Sequence, residues 1–278
     1  MNPDYLLHIY NTHTEELTRV VPKFKNHDLR PFGITWDNNH FYIAQPTHII
    51  KLGKNLKSQE ICLDNLTYGI HQILNKDGFL WMVSPRLNAI KRYSWKRKYM
   101  EYFFNHKWHP DPPPIKDINH YNSIFISSKD LLLSAHNHNQ PSFIERFTYP
   151  NLKFIKKYQI GRQIHNLFLE NQEILFTLDS LAQSLVSTNN DKIQIGMPGQ
   201  FIRGLAICED YYIIGRFAFN GVRSDRKEGD AELVIVDRKS RNIVNVVKIH
   251  GIGDINDIRI LDKKDYASCN KPCYTLFL

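Results

Sequence analysis

The sequence predicts an all-β fold: a six-bladed β-propeller forming a single domain over residues 1–278, its terminal blade closed by strands from both ends of the chain. Three observations predict it. A repeat recurs with a period near 45 residues, its strands alternate apolar and polar positions with period two, and each end of the chain carries half a repeat that the other lacks.

Six segments, at 32–36, 71–74, 122–125, 165–168, 203–206 and 256–259, open on a polar or small residue and run into alternating apolar positions. With Gly33, Gln72, Ser123, Asn166, Gly204 and Asp257 taken as equivalent, they recur at intervals of about 38 to 53 residues, a spread that surface loops absorb. In the first five, a turn rich in Asp, Asn, Gly or Lys leads to a second strand, at 41–44, 80–83, 131–134, 174–177 and 212–215. A third follows at 48–52, 89–93, 143–147, 184–187 and 233–237. The runs of Val, Ile, Phe and Tyr are short and often broken by Asn, Asp, Gly and Pro, which disfavours helices, and no long amphipathic stretch exists to cover a parallel sheet.

The sixth segment has only one further strand after it, at 274–278. Strands at 6–10 and 17–21, which match 233–237 and 243–247, supply the missing half. The expectation is that 274–278 pairs beside 6–10, closing the ring and hiding backbone edges that would otherwise be unpaired.

Hydrophobic residues at 42% and charged residues at 23% are enough for a packed core and argue against disorder. The net charge of +8 serves solubility or an anionic partner. Cys62, Cys208, Cys269 and Cys273 form no disulfide framework, and the Cys269/Cys273 pair alone makes no zinc site. No apolar run reaches the roughly 18 residues of a membrane span and the first residues lack signal-peptide character, so a cytoplasmic protein with no membrane insertion is expected.

In a propeller the innermost strand of each blade lines a central channel, and the loops joining second and third strands share its mouth. That geometry gathers His71, His120 and His165 as candidate catalytic residues, with Asn122, His136, His138, Arg203, Arg216 and Asn256 as candidate ligand-binding residues. Gln45 and His48 join the same rim. Neutral imidazole exchanges protons near pH 7, and guanidinium and carboxamide groups hold an anion without titrating. An imidazole at 165 is expected to face the open channel. The partner expected is a polar, anionic small molecule or glycan, with hydrolase, lyase or transferase chemistry as the candidate outcomes; a noncatalytic protein-interaction propeller is the alternative.

The cofactor is unknown: imidazoles from several blades suit an open three-histidine site for a divalent metal, but spacing along the chain does not select one. Nucleic acid is disfavoured as a partner, because the alternating bases and aromatics at 91–99 read as a charged outer edge strand. The proline-rich stretch at 106–114 reads as a stiff connection, and the charged stretch at 221–229 as a lid over the channel or an insertion. Neither a phosphate-binding glycine loop nor a nucleophile elbow is present.

The motifs Phe201-Ile202-Arg203-Gly204-Leu205-Ala206, Ile214-Gly215-Arg216, Val234-Ile235-Val236-Asp237, Asn256-Asp257-Ile258-Arg259 and Arg30-Pro31-Phe32-Gly33-Ile34 resemble a group of uncharacterised bacterial six-bladed propeller proteins. That resemblance implies the fold and no reaction. Locally, His120-Tyr121-Asn122-Ser123 and Gln163-Ile164-His165-Asn166 resemble active-centre motifs of six-bladed arylsulfotransferases, although Ile164 interrupts the second. This likeness implies His120, Asn122 and His165 as sulfuryl-binding groups, while Arg203 is an anion partner by channel position only.

Overall fold

The computed structural model describes residues 7–21, 23, 30–171, 173–219, 229–268 and 270–273. Alternating apolar runs form strands because each buries one row of side chains against the neighbouring sheet while turn residues reverse the chain.

Four sheets are plain antiparallel meanders of four strands. They are β3(Gly33–Trp36), β4(His40–Ala44), β5(Ile49–Gly53) and β6(Gln59–Leu63); β12(Tyr121–Ile126), β13(Asp130–Ala135), β14(Phe143–Thr148) and β15(Phe154–Gln159); β16(Ile164–Glu170), β17(Ile174–Asp179), β18(Ser184–Ser187) and β19(Lys192–Gln194); and β20(Gln200–Ile207), β21(Tyr211–Ala218), β22(Ala231–Asp237) and β23(Ile243–Ile249). The blade at β7(Ile73–Lys76), β8(Phe79–Ser84), β9(Ala89–Ser94) and β10(Tyr99–Phe104) gains a fifth strand, β11(Lys107–His109). The stretch read as a stiff linker therefore begins with a paired strand, and Trp108 explains why. Its indole packs 5.9 Å from that of Trp81 and 5.3 Å from Phe103, a burial that the proline-rich composition conceals.

The basic and aromatic stretch at 91–99 is also not an outer edge. It crosses the β9–β10 hairpin, with Lys91 buried and Arg92 lying 3.9 Å over Trp108 while paired to Glu101 at 2.6 Å. Burial lowers the Lys91 pKa to about 8.

Five complete blades are present among the described residues, where the sequence predicted six. In the sixth place stand a hairpin, β1(Leu7–Tyr10) with β2(Leu17–Val20), and an irregular segment from residue 254 onward. Leu7, Val20, Leu261 and Cys273 pack with Ile34, Trp36 and Phe41 of the first blade, and Arg19 reaches the His250 carbonyl at the end of β23. The irregular segment bridges the same gap. Tyr266 N–H donates to the Ile207 carbonyl at 2.7 Å, and the Trp36 indole N–H to the Lys271 carbonyl at 2.7 Å. Besides these backbone contacts a side chain takes part: Asp265 accepts from the N–H groups of Ile260 and Ala267 within the segment and of Ile207 on β20. The predicted strand at 274–278, its pairing with residue 6 onward, and most of the charged 221–229 stretch lie outside the described residues.

No helix among the described residues is long and apolar enough to cross a membrane.

Candidate functional site

A relay of hydrogen bonds links the innermost segments of successive blades. Thr35 Oγ1 accepts from Asn75 N–H at 2.9 Å, Gln72 Oε1 from Ile124 N–H at 2.8 Å, Ser123 Oγ from Asn166 N–H at 2.8 Å, and Asn166 Oδ1 from Gly204 N–H at 2.9 Å. Asp257 Oδ2 then accepts from Ile34 N–H at 3.3 Å, returning to the first blade. Five of the six positions taken as equivalent in the repeat lie on this relay, and the sixth, Gly33, precedes Ile34, which does. Gly33 is the close approach: a Cβ there would sit 2.9 Å from the backbone of residues 71–73.

Register shifts at Tyr121/Ser123, His165/Leu167 and Ile202/Leu205 place β-bulges in three consecutive innermost strands. A bulge re-aims side chains on either side of it. Here it separates the relay residues, which face the wall, from His165 and Arg203, which belong to the mouth.

Beside these segments runs a chain of rings. Phe32 stacks on His71 at 5.1 Å, His71 meets His120 edge-on at 5.3 Å, His120 meets His136 at 5.2 Å, His136 meets His165 at 5.6 Å, and His165 meets Phe201 at 5.5 Å. The Arg203 guanidinium lies 5.8 Å over Phe32, closing the circuit from the other side. His138 sits outside it, 5.3 Å from His120, in the loop expected for residues 136–138.

The hydrogen bonds fix the tautomers of three imidazoles. Ser180 donates its proton to the Ile202 carbonyl at 2.7 Å, so at its 2.8 Å contact with His165 Nδ1 it must accept. His71 Nδ1 faces the Gly69 carbonyl at 3.0 Å and His120 Nδ1 faces Asp117 Oδ2 at 2.7 Å, both acceptors. Each ring therefore carries its proton on Nδ1 and its lone pair on Nε2.

Burial, reinforced by the Arg203 charge, holds His71 and His165 well below the usual histidine range. Burial likewise lowers His120 against the pull of Asp117, and burial with the charges of His120 and His138 lowers His136 to about 3. The result is a set of neutral imidazoles gathered near one permanent cation.

The other expected site residues are placed differently. The Asn122 carboxamide is buried and committed: Nδ2 donates to the Ile164 carbonyl at 2.8 Å, and Oδ1 accepts from Ser123 and Ser134. Asn122 thus does not join His120 and His165 in the set that the sulfotransferase likeness implied. Arg216 pairs with Glu232 at 2.7 Å and donates to the Ile195 carbonyl at 2.6 Å, tying two blades together. Asn256 presents a buried Oδ1 without a hydrogen-bond partner among the described residues. Gln45 and His48 are fully buried between strands, and both ends of the Gln45 amide lack partners. His165 itself is 7% exposed, more enclosed than an open-channel position implies.

Sequence reasoning missed Phe32, Phe201 and Asp117. Phe32 occupies the repeat position of His71, His165 and Arg203, so the repeat alone pointed to it. Asp117 stands three residues before His120, a turn spacing that brings carboxylate and imidazole together.

One consequence concerns Gly215, packed against the strand that carries Arg203. A Cβ there would overlap the Arg203 carbonyl oxygen and lie 2.8 Å from Ile255 Cγ2. Gly215→Ala is expected to cost about 1–3 kcal/mol in urea denaturation, as overpacking does; an unchanged midpoint would contradict this packing.

By fold the chain is a β-propeller. Solved structures similar to it include a chain of a nidogen/laminin complex, at a TM-score of 0.65 and 9% identity over 89% of each chain. A streptogramin B lyase is similar at a TM-score of 0.53 and 13% identity, over 85% of this chain and 89% of that one. Virginiamycin B lyase from Staphylococcus aureus aligns at a TM-score of 0.50 and 17% identity, over 81% and 85%. No family model and no curated protein matches the sequence.

Proposed function

We propose that the mouth ringed by Phe32, His71, His120, His136, His165 and Phe201 binds a small anionic molecule, such as an acidic sugar, and removes a proton from it. The observation that carries this reading is the pairing of one buried guanidinium, Arg203, with imidazoles whose Nδ1 protons are committed and whose Nε2 lone pairs are not. Arg203 supplies the charge for a carboxylate. Nε2 of His165 or His71 accepts a hydrogen bond from a ligand hydroxyl or takes a proton. Arg203 beside a bound carboxylate would also stabilise the negative charge left by proton loss, which is the requirement of a lyase. Two of the similar folds are lyases, and one structure of the S. aureus enzyme is of a catalytically inactive histidine-to-alanine variant with quinupristin. That likeness is an analogy of fold.

In this reading the hairpin β1–β2 and the segment from residue 254 form a sixth blade, and Asn256 contributes its unpartnered Oδ1 to the channel. Support comes from the relay, in which Asp257 holds the sixth place.

The test is a panel of sugar acids, hydroxycarboxylates and sugar phosphates against their neutral counterparts, followed by thermal shift and calorimetry. Acidic members alone are expected to bind, and Arg203→Gln to weaken binding at least about tenfold, or roughly 1.4 kcal/mol. Binding that ignores the acid group, or survives Arg203→Gln unchanged, refutes the reading.

The alternative, a protein-interaction module, has its own observation in the exposed Ile243, Val244 and Val246 on β23, the outermost strand of its blade. A nidogen/laminin chain shares the fold. Association lost on Val244→Glu and untouched by Arg203→Gln would favour it.

A further inference from the structure

We infer that Asp117, His120 and His138 form a binding site for a divalent transition-metal ion at the outer wall of the mouth. One donor atom from each lies within 4.8 Å of the others. The carboxylate stands between the two rings, Oδ2 being 2.7 Å from His120 Nδ1 and Oδ1 3.5 Å from His138 Nε2. An ion held at about 2.1 Å by tetrahedrally disposed donors needs them about 3.4 Å apart. Binding would displace the His120 Nδ1 proton and open its 2.7 Å contact with Asp117, while the half-exposed His138 ring turns toward the ion.

His120 and His138 stand in left-handed turn positions, with φ of 49° and 52°, as do turn residues elsewhere in the chain. The loops that carry the donors are tied down. Asn137 N–H donates to the Asn119 carbonyl at 2.8 Å, Asn119 N–H to Asn88 Oδ1 at 2.9 Å, and Asn137 Nδ2 to the Pro141 carbonyl at 2.8 Å. Such rigidity keeps donors in place before an ion arrives, lowering the ordering cost of binding.

Two imidazoles and one carboxylate suit Zn²⁺, Co²⁺ or Fe²⁺ rather than Mg²⁺ or Ca²⁺, which favour all-oxygen shells. Three protein ligands leave coordination positions open, as in catalytic rather than structural sites. The His136 ring is a neighbour of this set, 5.2 Å from His120. Arg203 opposes a cation here, since its charge is felt at His120; the Asp117 carboxylate offsets it at shorter range.

The full-length protein, stripped with chelator and dialysed, is titrated with Zn²⁺ against a chromophoric competitor, with Co²⁺ absorption reporting the ligand field. One ion per chain is expected, with affinity falling at least tenfold in Asp117→Asn and in His138→Gln while both variants melt like the parent. His138 is exposed enough that its replacement does not threaten folding. The absence of saturable binding, or binding unchanged in both variants, overturns the proposal. Because the readout is the ion alone, this outcome is independent of whether the mouth binds an anionic ligand.

Discussion

Asp257→Ala is expected to destabilise the protein by about 3–5 kcal/mol, the cost of leaving a buried ion-pair partner uncompensated. The carboxylate accepts from Arg259 at 2.9 Å, Ile258 N–H at 3.1 Å, Asn166 Nδ2 at 3.3 Å and Ile34 N–H at 3.3 Å. The two charged side chains are 2% and 4% exposed, so water cannot replace what is lost. Burial outweighs the attraction of Arg259 and holds the Asp257 carboxyl above its usual range, which marks the site as strongly desolvated. Removing the side chain leaves the Arg259 guanidinium without its carboxylate, with Nη1 on the Leu205 and Ile258 carbonyls and Nε and Nη2 without hydrogen-bond partners among the described residues, and cuts the relay between the irregular segment and the first blade. Urea unfolding followed by tryptophan fluorescence measures the change. A loss below about 1 kcal/mol would mean that the irregular segment does not hold the ring together.

That segment also shows where the sequence was readable and where it was not. Strands such as Leu131-Leu132-Leu133 and Leu233-Val234-Ile235 announce themselves because a buried strand needs little besides apolar side chains and two turns. The sixth repeat carries the same signature at Asn256-Asp257-Ile258-Arg259, yet it makes its backbone hydrogen bonds to carboxylates. Periodicity records which side chains are buried and says nothing about whether the partner is a neighbouring strand or an aspartate. The same limit applies at the mouth. The rings of His71, His120, His136 and His165 are neighbours, two of them from repeat positions and two from adjoining loops. The repeat aligns Asn122 with His71 and His165, but Asn122 is itself the extra residue of the β12 bulge, and its carboxamide bonds Ser134 and the Ile164 carbonyl of the next blade. Bulges follow from local hydrogen bonding between residues distant in the chain, and no spacing encodes them. Arg216 was misjudged for a related reason: its alternation on β21 was legible, and its partner Glu232 on β22 was visible only once the register was known.

His165→Ala is expected to lower stability by about 2–3 kcal/mol at pH 8, more than an open-channel position would imply, because the ring is 7% exposed and fills the space between His136 and Phe201. The pH dependence separates this packing cost from an electrostatic one. Burial, the charge of Arg203, and the rings of His136 and His71 keep the His165 pKa below its unfolded value of 6.5, against a small opposing pull from the Gln163 carbonyl. Ser180 and Phe201 complete its surroundings and carry no charge. A group with a depressed folded pKa contributes its stability fully above 6.5 and loses it as pH falls, since the unfolded chain takes up the proton first. The parent should therefore weaken steadily from pH 7 toward pH 5, and His165→Ala should weaken less over the same interval. Neighbouring histidines give both proteins a residual slope, so the informative quantity is the difference between the two unfolding curves at each pH. If the stability gap narrows in acid, His165 is a buried neutral imidazole poised to accept a proton only from a bound ligand. A gap that stays constant from pH 8 to pH 5 would show that its burial carries no electrostatic cost, and with that the case for a neutral base at the mouth would fail.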